Sequence, residues 1–568
     1  MKPCLPKDET APDDRANRLA KARQAYVFDY AYHGIVSVKD LPAHDKSDLS
    51  WWAAVSKKIV ELEINQLKSR SPKENLEALG STVRGLFDKL LPDELTEKRA
   101  ASRHDKAVQD REVGADQYRR MYATIEAPPV VDVWQRDDIF AWQQLAGCNP
   151  VMLRGYREAL GHFPVEEAHY QRAVPGDSLA AAMAEGRLFV ADYAVLDGIV
   201  TGETDGFSKY NFAPIALYAR TPAGGFVPVA IQPGQEPSKL FTPADGASWR
   251  MAKNTVRCGE GNYQGVISHF ALCHQVMESV IVSARRRLAD NHPLRVLFEP
   301  HFANTLITND IAMSNLIGPG GYMERLQSGT LTASLELANR SLAQFRLMDS
   351  APSDDFGGRG VDDLNALPNY PFRDDLTTLW PLIEGFVRDY LTLYYQDAAD
   401  VGSDPELAAW VREMGAADGG QLVGLTVPAT PEDVVALVAR IVFRCTAYHA
   451  AINYSSFDMF SYPANVMAAA FAPGPTGEGD SVEAADAMLP PFELAEAGFF
   501  LFGEIETQIN QLGHYPEGHF EDPRVGPLVA AYQSQLDAAE ATITERGADR
   551  LLPYGFLLPS RISNSIHV

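Results

Sequence analysis

Cysteine is scarce and scattered in this chain, with five in 568 residues at positions 4, 148, 258, 273 and 445 and no CxxC pair. That pattern excludes a disulfide framework and a zinc knuckle, and it fits a reducing compartment. Positive charge is also short: 50 Lys and Arg face 75 Asp and Glu, for a net charge of −25. Nucleic acid is therefore an unsuitable partner, since its phosphates favour basic surfaces. An anionic ligand would have to be drawn in by local basic residues or by apolar burial. No uninterrupted run approaches the ~18 apolar residues of a membrane span, so no transmembrane segment is expected. Peripheral contact with a lipid surface stays open. The opening "MKPCLPKDETAPDDRANRLA" has no apolar stretch behind its charges, unlike a secretory signal peptide, and a cytoplasmic location is expected. The Gly-x-Ser-x-Gly motif of hydrolases is missing too.

The chain does contain ample core-forming material: 46% hydrophobic and 10% aromatic residues against 22% charged, the balance of a large globular protein. Residues 1–115 read as a polar, helical N-terminal arm, with "LSWWAAVSKKIVELEINQL" carrying apolar residues at helical spacing. "FAPIALYARTPAGGFVPVAIQ" places a Gly-Gly turn between two apolar runs and predicts a β-hairpin. Long helices are predicted over 262–290, 321–348, 375–396, 432–454, 492–512 and 524–546, interrupted by two Gly/Pro/Asp-rich loops. The fold expected is mainly α, with a small sheet and a helical arm.

Within the first of these helices lies "SHFALCHQVMES". His269 and His274 are five apart, about 140° around an ideal α-helix at ~100° per residue, and so not on one face. A π-type widening between them, at about five residues per hydrogen-bonded turn, would bring both to one side, and such segments gather at functional sites. A second polar pair, His449 and Asn453, is at i and i+4 in apolar surroundings, "YHAAINY". Burying these groups is costly unless each is satisfied, and a shared metal is one way to satisfy them; a hydrogen-bonded core histidine is the plainer alternative. Imidazoles and a carboxamide without thiolate suit Fe or Mn better than structural zinc. The set still lacks an anion.

From "DDIFAWQQLAGCNPVMLRGY" (137–156) to the last residue, the chain resembles the lipoxygenases. The resemblance rests on "NYQGVISHFALCHQVMESVIVSARRRLADNHPLRVLFEPHFANTLITNDIA". "YPFRDDLTTLWPLIEGFVRDYLTLYY", "YHAAINY", "GHYPEGHF" and the ending "PSRISNSIHV" follow in the family's order. The nearest likeness is to bacterial members without an N-terminal β-sandwich. It implies a lipoxygenase-type iron-binding catalytic domain over 116–568, holding one non-heme iron on His269, His274, His449, Asn453 and the terminal carboxylate of Val568. That carboxylate supplies the missing anion, with a reference pKa of about 3.3–3.7. Val568 departs from the family's usual Ile, which leaves the carboxylate unaffected. Ser456 stands where many members have Gln, which removes a side chain expected to steady Asn453. His292 and His301 match positions that are not ligands; His292 before Pro293 is read as a helix-ending turn and His301 as a satisfied polar residue. Ala312 and Leu316 match substrate-channel positions, Ala312 favouring S products and Leu316 packing over the reacting pentadiene.

The activity implied is insertion of O2 into a polyunsaturated fatty acid of the linoleate or arachidonate class, giving a hydroperoxide. A monomer is expected. Two other readings remain on the same fold: a fatty-acid hydroperoxide isomerase, and a non-catalytic lipid-binding protein.

Overall fold

The computed structural model describes residues 3–46, 49–70, 114–504 and 507–567. Its hub is one unbroken helix, Ala247–Arg287. It runs as an α-helix over Ala247–Asn262, a π-helix over Tyr263–Gln275 and an α-helix again over Val276–Arg287. Nearly every residue along it is buried, as befits a helix apolar all round its circumference. Around this central helix pack Leu331–Gln344, Pro405–Gly415, Pro12–Ala25 and the short turn His449–Asn453.

A second long helix begins at Pro431 and carries its own π segment, Arg444–Tyr448, directly before His449–Asn453. Its start is well specified. Thr430 and Asp433 form a reciprocal capping box, and Pro431 takes the first helical position, where no N–H is needed. Pro371–Thr392 packs between this helix and Val525–Gly547. Both long helices reach the length and hydropathy of a membrane span, although neither holds an uninterrupted apolar run of that length. Their most apolar windows are 83% and 89% buried, so they serve as core.

The predicted hairpin is present as Ile215–Arg220 paired with Phe226–Gln232. Leu188–Asp192 and the short edge Arg154–Gly155 extend it to a four-stranded antiparallel sheet. The strand residues of this sheet are largely buried, so it plugs one flank of the helical body. The N-terminal arm contributes Pro12–Ala25, a two-residue ladder joining Phe28–Asp29 to Ser37–Val38, and the helix Leu49–Ser69. The remainder of the predicted arm, 71–113, lies outside the described residues.

Several helix boundaries differ from expectation. The central helix starts at Ala247, well before residue 262, because Gly259 and Gly261 are helical residues here and do not end it. Gly261 marks a close approach: a Cβ there would lie 2.2 Å from the carbonyl oxygen of Met467. Backbone cannot swing aside as a long side chain would. We therefore expect Gly261→Ala to lower stability by about 1–3 kcal/mol, read as a shift in the chemical-unfolding midpoint. The predicted helix 321–348 is broken between Tyr322–Leu326 and Leu331–Gln344. His292 does not end a helix. It starts one, its side chain accepting from Leu294 N–H at the N-cap of Pro293–Phe302.

Candidate metal centre

The π segment accounts for the awkward histidine spacing. With the helix widened over Tyr263–Gln275, positions five apart return to one face. His269 Nε2 and His274 Nε2 lie 3.1 Å apart. The second π segment ends where His449 begins, and this ring sits 5.5 Å from that of His269 and 5.7 Å from that of His274. One ring nitrogen from each of the three falls within 4.8 Å of the others. Two widened helices thus face three imidazoles toward one point.

Burial lowers all three imidazoles below the ordinary histidine range, His274 to about 4. The rings also repel one another's protonation, His274 acting on His269 and both acting on His449. At neutral pH each ring is therefore uncharged and carries one lone pair.

The tautomer of His274 follows from its neighbour Asn309. The carboxamide nitrogen of Asn309 is 3.3 Å from the His274 carbonyl oxygen, which can only accept. Its oxygen must then face His274 Nδ1, at 2.7 Å, so Nδ1–H donates and Nε2 keeps the lone pair. Among the described residues, His449 has no partner at either ring nitrogen, and Asn453, also buried, none at either amide atom. Such orphaned groups are rare in a core and costly. A metal ion would satisfy them, and the donor set fits one.

The structure also bears on the expected supporting cast. Ser456 does not steady Asn453; its hydroxyl accepts from Gln264 Nε2 at 3.1 Å. His301 has Nδ1 2.8 Å from the Asn564 carbonyl and no partner for Nε2 among the described residues. Val568 lies outside the described residues.

Beside the three rings opens a cavity of about 740 Å³, within the range of small-molecule sites. His269 and His274 form part of its wall, and so do Ala312, Leu316 and His567. Ala312 and Leu316 are joined by the Leu316 N–H to Ala312 carbonyl bond, 2.8 Å, at the end of the helix Thr305–Asn315. The arm helix closes another side with Trp51, Trp52, Val55 and Ile59. Sequence reasoning named the three histidines, Asn453, Ala312 and Leu316 as expectations; the three rings cluster, and Ala312 and Leu316 line the cavity. It missed Asn309 and the arm's share of the wall, for which no local pattern existed.

The comparisons with known proteins agree with this geometry. The family model described as Lipoxygenase matches residues 53–485, which is more than half of the chain. This chain belongs to the lipoxygenase family. It is a fatty acid dioxygenase. The linoleate 9/13-lipoxygenase of Pseudomonas aeruginosa is 33% identical over 488 residues, covering 80% of this chain and 70% of that protein. The human polyunsaturated fatty acid lipoxygenase ALOX15B is 32% identical, over 77% of this chain and 66% of its own length. Among solved structures, a lipoxygenase in complex with arachidonate matches 100% of this chain and 84% of its own, with a TM-score of 0.87 at 24% identity. That likeness establishes the fold. Lipoxygenases generally depend on non-heme iron, and the three-histidine cluster could hold a metal ion.

Proposed function

We propose that this lipoxygenase carries one non-heme iron per chain on His269, His274, His449 and Asn453, with the α-carboxylate of Val568 as the anionic ligand. Its substrate in this reading is a free polyunsaturated fatty acid of the linoleate or arachidonate class, and the S hydroperoxide is favoured. The observation that carries the reading is the convergence of three neutral imidazoles, with a buried carboxamide that has no partner among the described residues one helical turn from His449. Bound iron would supply the one-electron redox chemistry that starts oxidation at a doubly allylic CH2. The protein's residues do the rest by orientation and by exclusion of water. Leu316 and Ala312 line the channel beside the rings, where a pentadiene would lie, and Ala312 shields one end of it from O2.

Arg325 is the one lysine or arginine among the described residues on the cavity wall. In this reading it meets the substrate carboxylate. A partly exposed pair of this kind contributes about 1 kcal/mol. Arg325→Gln is therefore expected to raise KM for linoleate several-fold with little change in kcat, as measured by O2 uptake.

The deciding experiment is chiral chromatography of products from linoleate and arachidonate, with iron measured on the same preparation. One iron per chain and a dominant S hydroperoxide are expected. O2 uptake absent from free fatty acid but lipid consumed as hydroperoxide would replace this reading with an isomerase. Well under one iron per chain would replace it with a lipid-binding protein.

A further inference from the structure

Two chains of hydrogen bonds leave the neighbourhood of the metal centre, and both end on the N-terminal arm. The first starts at His274. Its Nδ1–H donates to Asn309, and Asn309 Nδ2 donates in turn to Glu278 Oε2 at 2.7 Å. The other oxygen of Glu278 accepts the backbone N–H of Val38, on the second strand of the arm, at 3.1 Å. His274, Asn309, Glu278 and Val38 are all buried. The second chain is shorter. Trp51, buried at the start of the arm helix, donates its Nε1–H to the carbonyl of His567 at 3.1 Å. That carbonyl belongs to the residue just before Val568.

Between these two contacts the arm is clamped to the far end of the central helix. Arg285 reaches both oxygens of Asp45, at 2.6 and 3.0 Å, in a buried pair. Val38, Asp45 and Trp51 thus fasten one short stretch of the arm to the helix that bears His269 and His274, and to the chain end.

We propose that the N-terminal arm is a positioning element of the metal centre. Val38 sets the direction of His274 through Glu278 and Asn309, and Trp51 holds the backbone beside Val568. The proposal rests on the ligand assignment above. Neither Glu278 nor Trp51 touches the metal or a ligand side chain. Each acts through one intervening group, Glu278 through Asn309 on His274 and Trp51 through the His567 backbone on the residue after it. Supporting partners around a metal site change its affinity about 10–100-fold.

The test uses the full chain with Trp51→Phe, Glu278→Gln and, as a control, Tyr30→Phe. Phenylalanine keeps a ring at 51 and removes the donor. Glutamine has one acceptor oxygen, so it can serve Val38 or Asn309 but not both. Tyr30 donates to the Gly419 carbonyl, an arm contact outside both chains. The measurements are the rate of iron loss to a chelator, the electron paramagnetic resonance line shape of the iron, and the melting point of the metal-free chain. Iron is expected to leave about ten-fold or more faster from the first two variants, with altered line shapes and metal-free melting points near that of Tyr30→Phe. Wild-type release rates in both variants would overturn the proposal, as would equal acceleration in Tyr30→Phe, which would mean general loosening of the arm. Should Glu278→Gln not fold, Trp51→Phe decides by the same criteria. Wild-type protein that holds no iron would instead overturn the ligand assignment, and this proposal with it.

Discussion

His449→Leu is expected to yield a folded chain that holds no iron and shows no O2 uptake with linoleate. The same substitution should make the metal-free protein more stable than the metal-free parent. The signs differ because His449 is fully buried and neither ring nitrogen has a partner among the described residues. Without metal, its imidazole costs about 1–3 kcal/mol in unmet hydrogen bonding. Leucine removes that cost at similar volume, while the metal loses a donor that no neighbour can replace. The stabilisation that bound iron gives the parent, which grows with the ratio of free metal to Kd, is lost as well. Parallel unfolding curves of both proteins, with and without Fe2+, check this. A variant that retains iron, or whose metal-free form is destabilised by several kcal/mol, removes His449 from the ligand set.

Appending one glycine after Val568 is expected to abolish iron retention and activity. The added peptide bond turns the α-carboxylate into a neutral amide and moves the charge one Cα–Cα step away, about 3.8 Å. The last described residue, His567, is held in place. His567 is buried, its ring nitrogens lie 3.0 Å from the carbonyls of Ser565 and Thr507, and its own carbonyl accepts from Trp51. A chain bearing a cleavable C-terminal tag gives the cleanest comparison: inactive with the tag and active once cleavage restores Val568 as the terminus. Full O2 uptake in the tagged form would take Val568 out of the site.

The pairing of residues at the candidate metal centre was legible from sequence because each pair is local. His449 and Asn453 are one helical turn apart, so their shared face follows from helix geometry. His269 and His274 are five apart, and that spacing demanded a widened helix, which the structure has over Tyr263–Gln275. The hairpin was legible for the same reason, with two apolar runs and a glycine turn contiguous in the chain. Helix ends were less so. Gly259 and Gly261 resemble breakers, yet both sit inside the central helix, and at Gly261 the Met467 backbone passes too close for a side chain. His292 before Pro293 reads as an end or as a beginning, and only the folded backbone shows it capping the helix that follows.

The sequence by itself carried the family, through its resemblance to the lipoxygenases, and it singled out the His269/His274 and His449/Asn453 pairs together with the widened helix that the five-residue spacing requires. The pairs and the widening depend on periodicity and on residue chemistry, which act over a few positions. Tertiary structure alone decided what surrounds them: that Asn309 orients His274, that Glu278 joins Asn309 to Val38, and that Trp51 meets His567. Those partners are separated by up to 516 residues of chain. A buried polar group accepts whichever complementary group packing brings within about 3 Å, and no spacing along the chain encodes that choice.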